Sequence, residues 1–127
     1  MNITQYWLDI LSQNADAIRG YFHPDAKIYW HNTNECFTVD EFIRANCEYP
    51  GDWSGEIEHL ICAGDTLVTA THVYTKDQKL HFHAVSFIRI KNAKVVSIDE
   101  YWGDDAEAPQ WRKNLNIGTP IRSTDVA

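Results

Sequence analysis

The chain has 127 residues, 44% of them apolar and 13% aromatic, which suits one domain with a real core and leaves no length for a second. A formal charge of −7, with Lys and Arg scattered along the chain, excludes the basic face that nucleic acid or an anionic membrane surface would require. No run approaches the ~20 apolar residues of a membrane span. The opening MNITQYWLDIL has no basic start and no apolar run fit for a signal peptide. Cys36, Cys47 and Cys62 show no CxxC spacing, so reduced and mostly structural cysteines in a cytoplasmic protein are expected.

Helical periodicity starts near Asn2 or Thr4 and places Ile3, Trp7, Ile10 and Leu11 on one stripe. Asn14 reads as the cap of a second, short helix carrying Ala17, Ile18, Tyr21 and Phe22, ended by a turn at Pro24-Asp25. Residues 26–32 alternate as a strand, with Ile28 and Trp30 inward and Lys27, Tyr29 and His31 outward. Thr38 and Glu41 have the spacing of a capping box, in which hydroxyl and carboxylate each satisfy an orphan amide. The box opens a helix over 39–49 with Val39, Phe42, Ile43, Asn46 and Cys47 on one face. Strands are expected at 55–63, 66–75, 80–90 and 95–103, with turns at Gly64-Asp65, Asp77-Gln78 and Asn92-Ala93. The run Asp104-Asp105-Ala106-Glu107 reads as a solvated loop. It precedes a short helical stretch around Pro109–Leu115, whose Trp111 is expected to pin the tail to the domain or to a partner subunit. Helices first and an antiparallel meander after imply an α+β fold with helices on one sheet face.

The hairpin at Asp77-Gln78 decides which side chains share a face, because cross-strand partners point the same way. It pairs Val73 with Phe82, Thr71 with Ala84 and Thr69 with Ser86 on an apolar face that also holds Leu67, Ile88 and Ile90. His72 with His83 and Tyr74 with His81 fall on the other face, and a one-residue slip would exchange the two. On the last strand the even positions Val96, Ile98 and Trp102 are apolar, so Glu100 is aimed at the interior with Thr71 and Ser86 as its polar neighbours. Setting these residues opposite Ile88 and Ser86 requires an odd-length loop or bulge near Asn92-Ala93.

The order of helices, strand, helix and meander, the PDA turn at Pro24-Asp25-Ala26 and the ending KVVSIDEYWGD (94–104) resemble the nuclear transport factor 2-like superfamily, with the SnoaL-like branch the nearest match. The resemblance covers about residues 3–104 and implies one domain over 1–127, with 104–127 as a C-terminal tail. The implied fold is a cone-shaped α+β barrel: a curved, mostly antiparallel sheet with the N-terminal helices on its concave face, enclosing a pocket, commonly in a homodimer. The superfamily includes isomerases, dehydratases, epoxide hydrolases and cyclases beside non-catalytic binders, so it implies a pocket without naming its chemistry. Ketosteroid isomerase carries acids where this chain has Trp30 and Ser86. Limonene epoxide hydrolase carries an acid that Glu100, before Tyr101, matches, but its Arg and Asp partners have no counterpart in residues 66–75.

Glu100 is therefore the candidate catalytic residue, since desolvation against Trp and Ile raises a carboxyl toward the range useful for proton transfer. Its alternative is a carboxylate that reaches water at the cone mouth or pairs with a buried amide. Trp30, Trp53 and Trp102 are candidate pocket walls or plain core. Asn32 is either a ligand donor or a turn residue, and Asn46 a ligand contact or a bond to sheet backbone. Thr71 and Ser86 are candidate ligand contacts and lack the base a nucleophile needs. No cofactor and no metal are expected. His72, His81 and His83 form the one alternative, weak because no carboxylate but Asp99 is expected on that face. The same face also suits a dimer. Two functions stay open: cofactor-independent acid–base chemistry on a mostly apolar small molecule, and non-catalytic ligand binding or dimerisation.

Overall fold

The computed structural model describes residues 1–122. Helix α1 (Ile3–Leu11) begins where Asn2 accepts from the Gln5 amide, and α2 (Ala15–Gly20) where Asn14 accepts from Ala17. Strand β1 (Phe22–Trp30) and the short β2 (Glu35–Thr38) follow, then α3 (Val39–Cys47), opened by the complete Thr38–Glu41 capping box. The meander is β3 (Trp53–Ala63), β4 (Thr66–Thr75), β5 (His81–Lys91) and β6 (Lys94–Asp104), and α4 (Gln110–Asn114) lies in the tail.

The six strands form one curved sheet in the order β2-β1-β6-β5-β4-β3. Among the described strands only β1 and β6 run parallel. The sheet does not close into a barrel: β2 and β3 remain as edges. Its helix-covered face carries Ile28, Val73, Ala84, Ile88, Val95 and Ile98, all packed with Tyr6, Trp7, Ile10 and Leu11 of α1 and with Phe42 and Ile43 of α3. Gly55 is required where β3 passes under α1, because a Cβ there would strike the His72 carbonyl and meet Leu11. Asp9, the polar group that α1 buries, accepts from the Tyr21 hydroxyl at 2.6 Å and from Gln5 at 3.2 Å. Burial first, then the bond to Asp9, pushes the Tyr21 phenol up to about 12.

The β4–β5 register is the expected one, with Val73 opposite Phe82, Thr71 opposite Ala84 and His72 opposite His83. Several expectations are corrected. The second helix ends at Gly20, and Phe22 already pairs with Val95 in β1. Pro24 is tolerated there because the β1–β6 pairing breaks between Phe22 and Lys27. The four-residue edge strand β2 was not foreseen. Near Asn92-Ala93, a two-residue turn with positive φ at both positions, the expected bulge is present between Arg89 and Ile90, but it shifts which residue faces inward at the start of β6. Val95, not Val96, is therefore the buried residue at the start of β6. Trp111 is 60% exposed and does not pin the tail to the domain. Cys36 and Cys62 are exposed, so only Cys47, packed against the core, has a structural place.

Candidate functional site

A cavity of about 280 Å³ opens between α1, α3 and the helix-covered face of the sheet. Its walls are mainly aromatic: Trp7, Trp30, Tyr49, Trp53, Phe82 and Trp102. The rings brace one another edge to face, Trp30 with Trp102 at 6.1 Å and Phe82 with Trp102 at 6.1 Å. Phe37 of β2 backs Trp30 at 4.7 Å, which gives the unforeseen edge strand a purpose. The polar lining comes from Gln13, Asn32, Thr33, Asn46 and Asp104. Asn32 accepts from the Trp102 amide at 2.7 Å, so its oxygen closes the β1–β2 turn onto β6. Its side-chain N–H groups are not used in that bond. Asn46 donates to the Ile10 carbonyl at 2.9 Å, so its partner is helix backbone and not the sheet backbone expected.

Glu100 is 3% exposed and lies behind Trp30 and Trp102, not on the cavity wall. Trp30 Nε1 donates to Oε1 at 2.9 Å and the Ser86 hydroxyl to Oε2 at 2.5 Å. Desolvation dominates and raises the Glu100 carboxyl above its ordinary range, against the opposing effect of Ser86, Trp30 and Trp102. The Trp102 indole N–H is near enough to favour the carboxylate but makes no bond of proper geometry, and so has no partner. The buried Thr71 hydroxyl has none either. Tyr6, wholly buried, has its phenol held well above the usual range by burial and then by the nearby Glu100 charge.

The structure thus separates the sequence candidates into two groups. Trp30, Asn32, Trp53 and Trp102 line the cavity; Glu100 and Ser86 are bonded to each other off its lining, and the residue in register with them on β4 is Thr69, while the expected neighbour Thr71 lies opposite Ala84. Trp7, Phe82, Tyr49 and Asp104 were missed as lining residues. The sequence pattern sets Trp7 and Phe82 on inward faces, so their signal is present; Tyr49 and Asp104 lie at element ends, where periodicity carries no direction.

On the outer face His72, His81 and His83 do come together. The expected lack of carboxylates there is overturned: Glu56 lies 3.4 Å and Asp105 3.7 Å from His72, and Glu58 3.2 Å from His83. Asp99 is elsewhere, bound by Arg89 and His31 at 2.6 Å each. Asp105 is accordingly no simple solvated-loop residue.

The cone architecture recurs in solved structures. A Kribbella flavida protein provisionally assigned as a ketosteroid isomerase superposes with a TM-score of 0.78 at 20% identity, over 94% of this chain and 87% of its own. An NTF-2 like protein from Burkholderia xenovorans gives 0.74 at 20% identity, over 93% and 92%. A Mycobacterium tuberculosis LEH-like epoxide hydrolase gives 0.61 at 10% identity, over 79% of each chain. At these identities the likeness is one of fold. A search of curated protein sequences found no match. The family model of the SnoaL-like domain, however, matches residues 3–98, most of the elements that build the cavity, and the chain belongs to that SnoaL-like family.

Proposed function

We propose that the protein binds a small, flat, mostly apolar molecule in the cavity between α1, α3 and the sheet. The aromatic lining carries this reading: indole and phenyl faces surround about 280 Å³, near the lower end of the ~300–1,000 Å³ typical of small-molecule sites. A ligand of one or two fused rings with a single oxygen fits that size. Asn32, whose amide N–H groups are left over from its bond to Trp102, is the donor placed to meet the oxygen.

A second reading, acid–base catalysis by Glu100, is favoured by its raised pKa and by the unpartnered Trp102 indole near it. It ranks behind binding because both carboxyl oxygens are engaged and two indoles stand between Glu100 and the cavity. Proton transfer would require one indole to move aside. The test is a thermal-shift screen of 1-tetralone, 2-naphthol and styrene oxide, followed by product analysis of each compound that binds. Binding without turnover supports capture. Turnover that Glu100→Gln abolishes would put catalysis first, and no shift from any of them would count against both.

A homodimer completes this reading. Tyr29, Val85 and Tyr101 leave apolar surface exposed on the outer sheet face, where a second copy would cover it. Three free cysteines, two of them exposed, suit a reducing, cytoplasmic setting. No helix among the described residues is long and apolar enough to cross a membrane.

A further inference from the structure

The outer face of the sheet carries a second cluster that the cavity does not use. His72 of β4 is its centre, with a side chain only 4% exposed. His83 stacks on it at 4.7 Å with ring planes 7° apart. His81 approaches differently: its Nδ1 lies 3.0 Å from His72 Nε2 while the ring centroids are 5.2 Å apart and the planes 20° apart. The two rings therefore meet edge to edge, nitrogen to nitrogen.

Hydrogen-bond accounting leaves a gap at that meeting point. His81 Nε2 lies 3.0 Å from the Gln78 carbonyl, which can only accept, so in the neutral imidazole Nε2 carries the proton and Nδ1 presents a lone pair. His72 Nδ1 faces the Glu56 carboxylate at 3.4 Å, another acceptor, so the neutral His72 ring presents its lone pair at Nε2. Oδ2 of Asp105 stands 3.7 Å from the same Nε2. Two lone pairs and a carboxylate oxygen thus converge where a cation belongs. A shared proton bridges only the two nitrogens, whereas a metal ion serves all three donors.

We propose that His72, His81 and Asp105 bind one divalent transition-metal ion of the zinc class, with the remaining position open to solvent. Two imidazoles and a single carboxylate select such an ion over magnesium or calcium, which require mostly oxygen. Ligands at ~2.0–2.1 Å from a tetrahedral zinc stand about 3.4 Å apart, and the observed 3.0 and 3.7 Å bracket that spacing. Each ligand also has a group that fixes its other end, as metal ligands generally do. Glu56, itself accepting from the Tyr74 hydroxyl at 3.0 Å, orients His72; the Gln78 carbonyl orients His81; His83 Nδ1 holds the other oxygen of Asp105 at 2.5 Å. The neighbouring trio of Glu58, His72 and His83 is the poorer choice, because stacked parallel rings aim their lone pairs side by side and not at one point. Bound there, the ion joins β4, the start of β5 and the residue after β6, next to Asp104 on the cavity wall.

The test uses tag-free protein, stripped with chelator, dialysed and titrated with Co²⁺ and then Zn²⁺. The expected result is one equivalent bound, tetrahedral ligand-field absorption with Co²⁺, and a higher melting temperature with Zn²⁺. His81→Ala and Asp105→Asn should each weaken binding at least tenfold and remove the melting shift. Both positions are partly or fully exposed, so the fold survives the changes. Glu100→Gln, behind the opposite face of the sheet, should bind the metal as wild type does. No saturable binding would overturn the proposal, and so would affinity that is unchanged in both variants, the mark of adventitious surface metal.

Discussion

At Glu100 two opposing effects share one carboxyl group: burial disfavours its charge, and donors from Trp30 and Ser86 favour it. Burial wins, so the folded protein holds the proton more tightly than the unfolded chain does. Between the ordinary carboxylate range and the raised value the native state thus binds more protons, and stability must fall as pH rises through that window. Glu100→Gln removes this titration while its amide can still accept from Trp30 and donate to Ser86. Denaturant midpoints of the two proteins measured across pH should therefore diverge, the variant gaining on wild type as pH rises. Parallel curves would mean that the carboxyl is not desolvated as described. The inward aim of Glu100 and its neighbour Ser86 were legible in the sequence, because alternation on β5 and β6 assigned both to one face. Its isolation from the cavity was not, since no periodicity says that two indoles will fold across a carboxylate.

Among the elements, the Asn92-Ala93 turn has a cost that can be measured. Both residues have positive φ, 52° and 65°, as a two-residue hairpin of this kind demands. Asn tolerates the left-handed region, whereas Ala pays roughly 1–2 kcal/mol for it. Ala93→Gly removes that strain and gives back ~0.5–1 kcal/mol through chain entropy, so a net gain of up to about 1 kcal/mol is expected in urea unfolding. A loss of stability would show that Ala93 makes contacts beyond the turn. The meander was legible because its strands alternate and its turns are marked. The capping box was legible because Thr38 and Glu41 are three residues apart. The start of β1 was not: Phe22 continues the helical stripe of Ile18, and Pro24 hid a strand that begins before it. The carboxylates around His72 were hidden for related reasons. Glu56 faces His72 from a strand whose register shifts between Ile57 and His59, and Asp105 lies just past the end of β6.

For the whole molecule, a cone with one face around a cavity and the other exposed has two surfaces to account for. If the exposed face pairs with a second copy, sedimentation at micromolar concentration should give the dimer mass. Val85→Lys, which sets a charge in the middle of that face beside Tyr101, should give the monomer with an unchanged melting curve at low concentration. A monomeric wild type would assign the outer face to another purpose. Filling the cavity tests whether it binds a ligand. Ala45, on α3, lines the cavity, and Ala45→Trp would place an indole where the ligand is proposed to lie. Thermal unfolding of wild type with 1-tetralone or 2-naphthol at about a hundred times its dissociation constant should show stabilisation of about 2.7 kcal/mol. The same compounds should leave Ala45→Trp unshifted. Stabilisation that persists in the filled variant, or its absence from wild type across both compounds, would contradict a ligand-binding cavity.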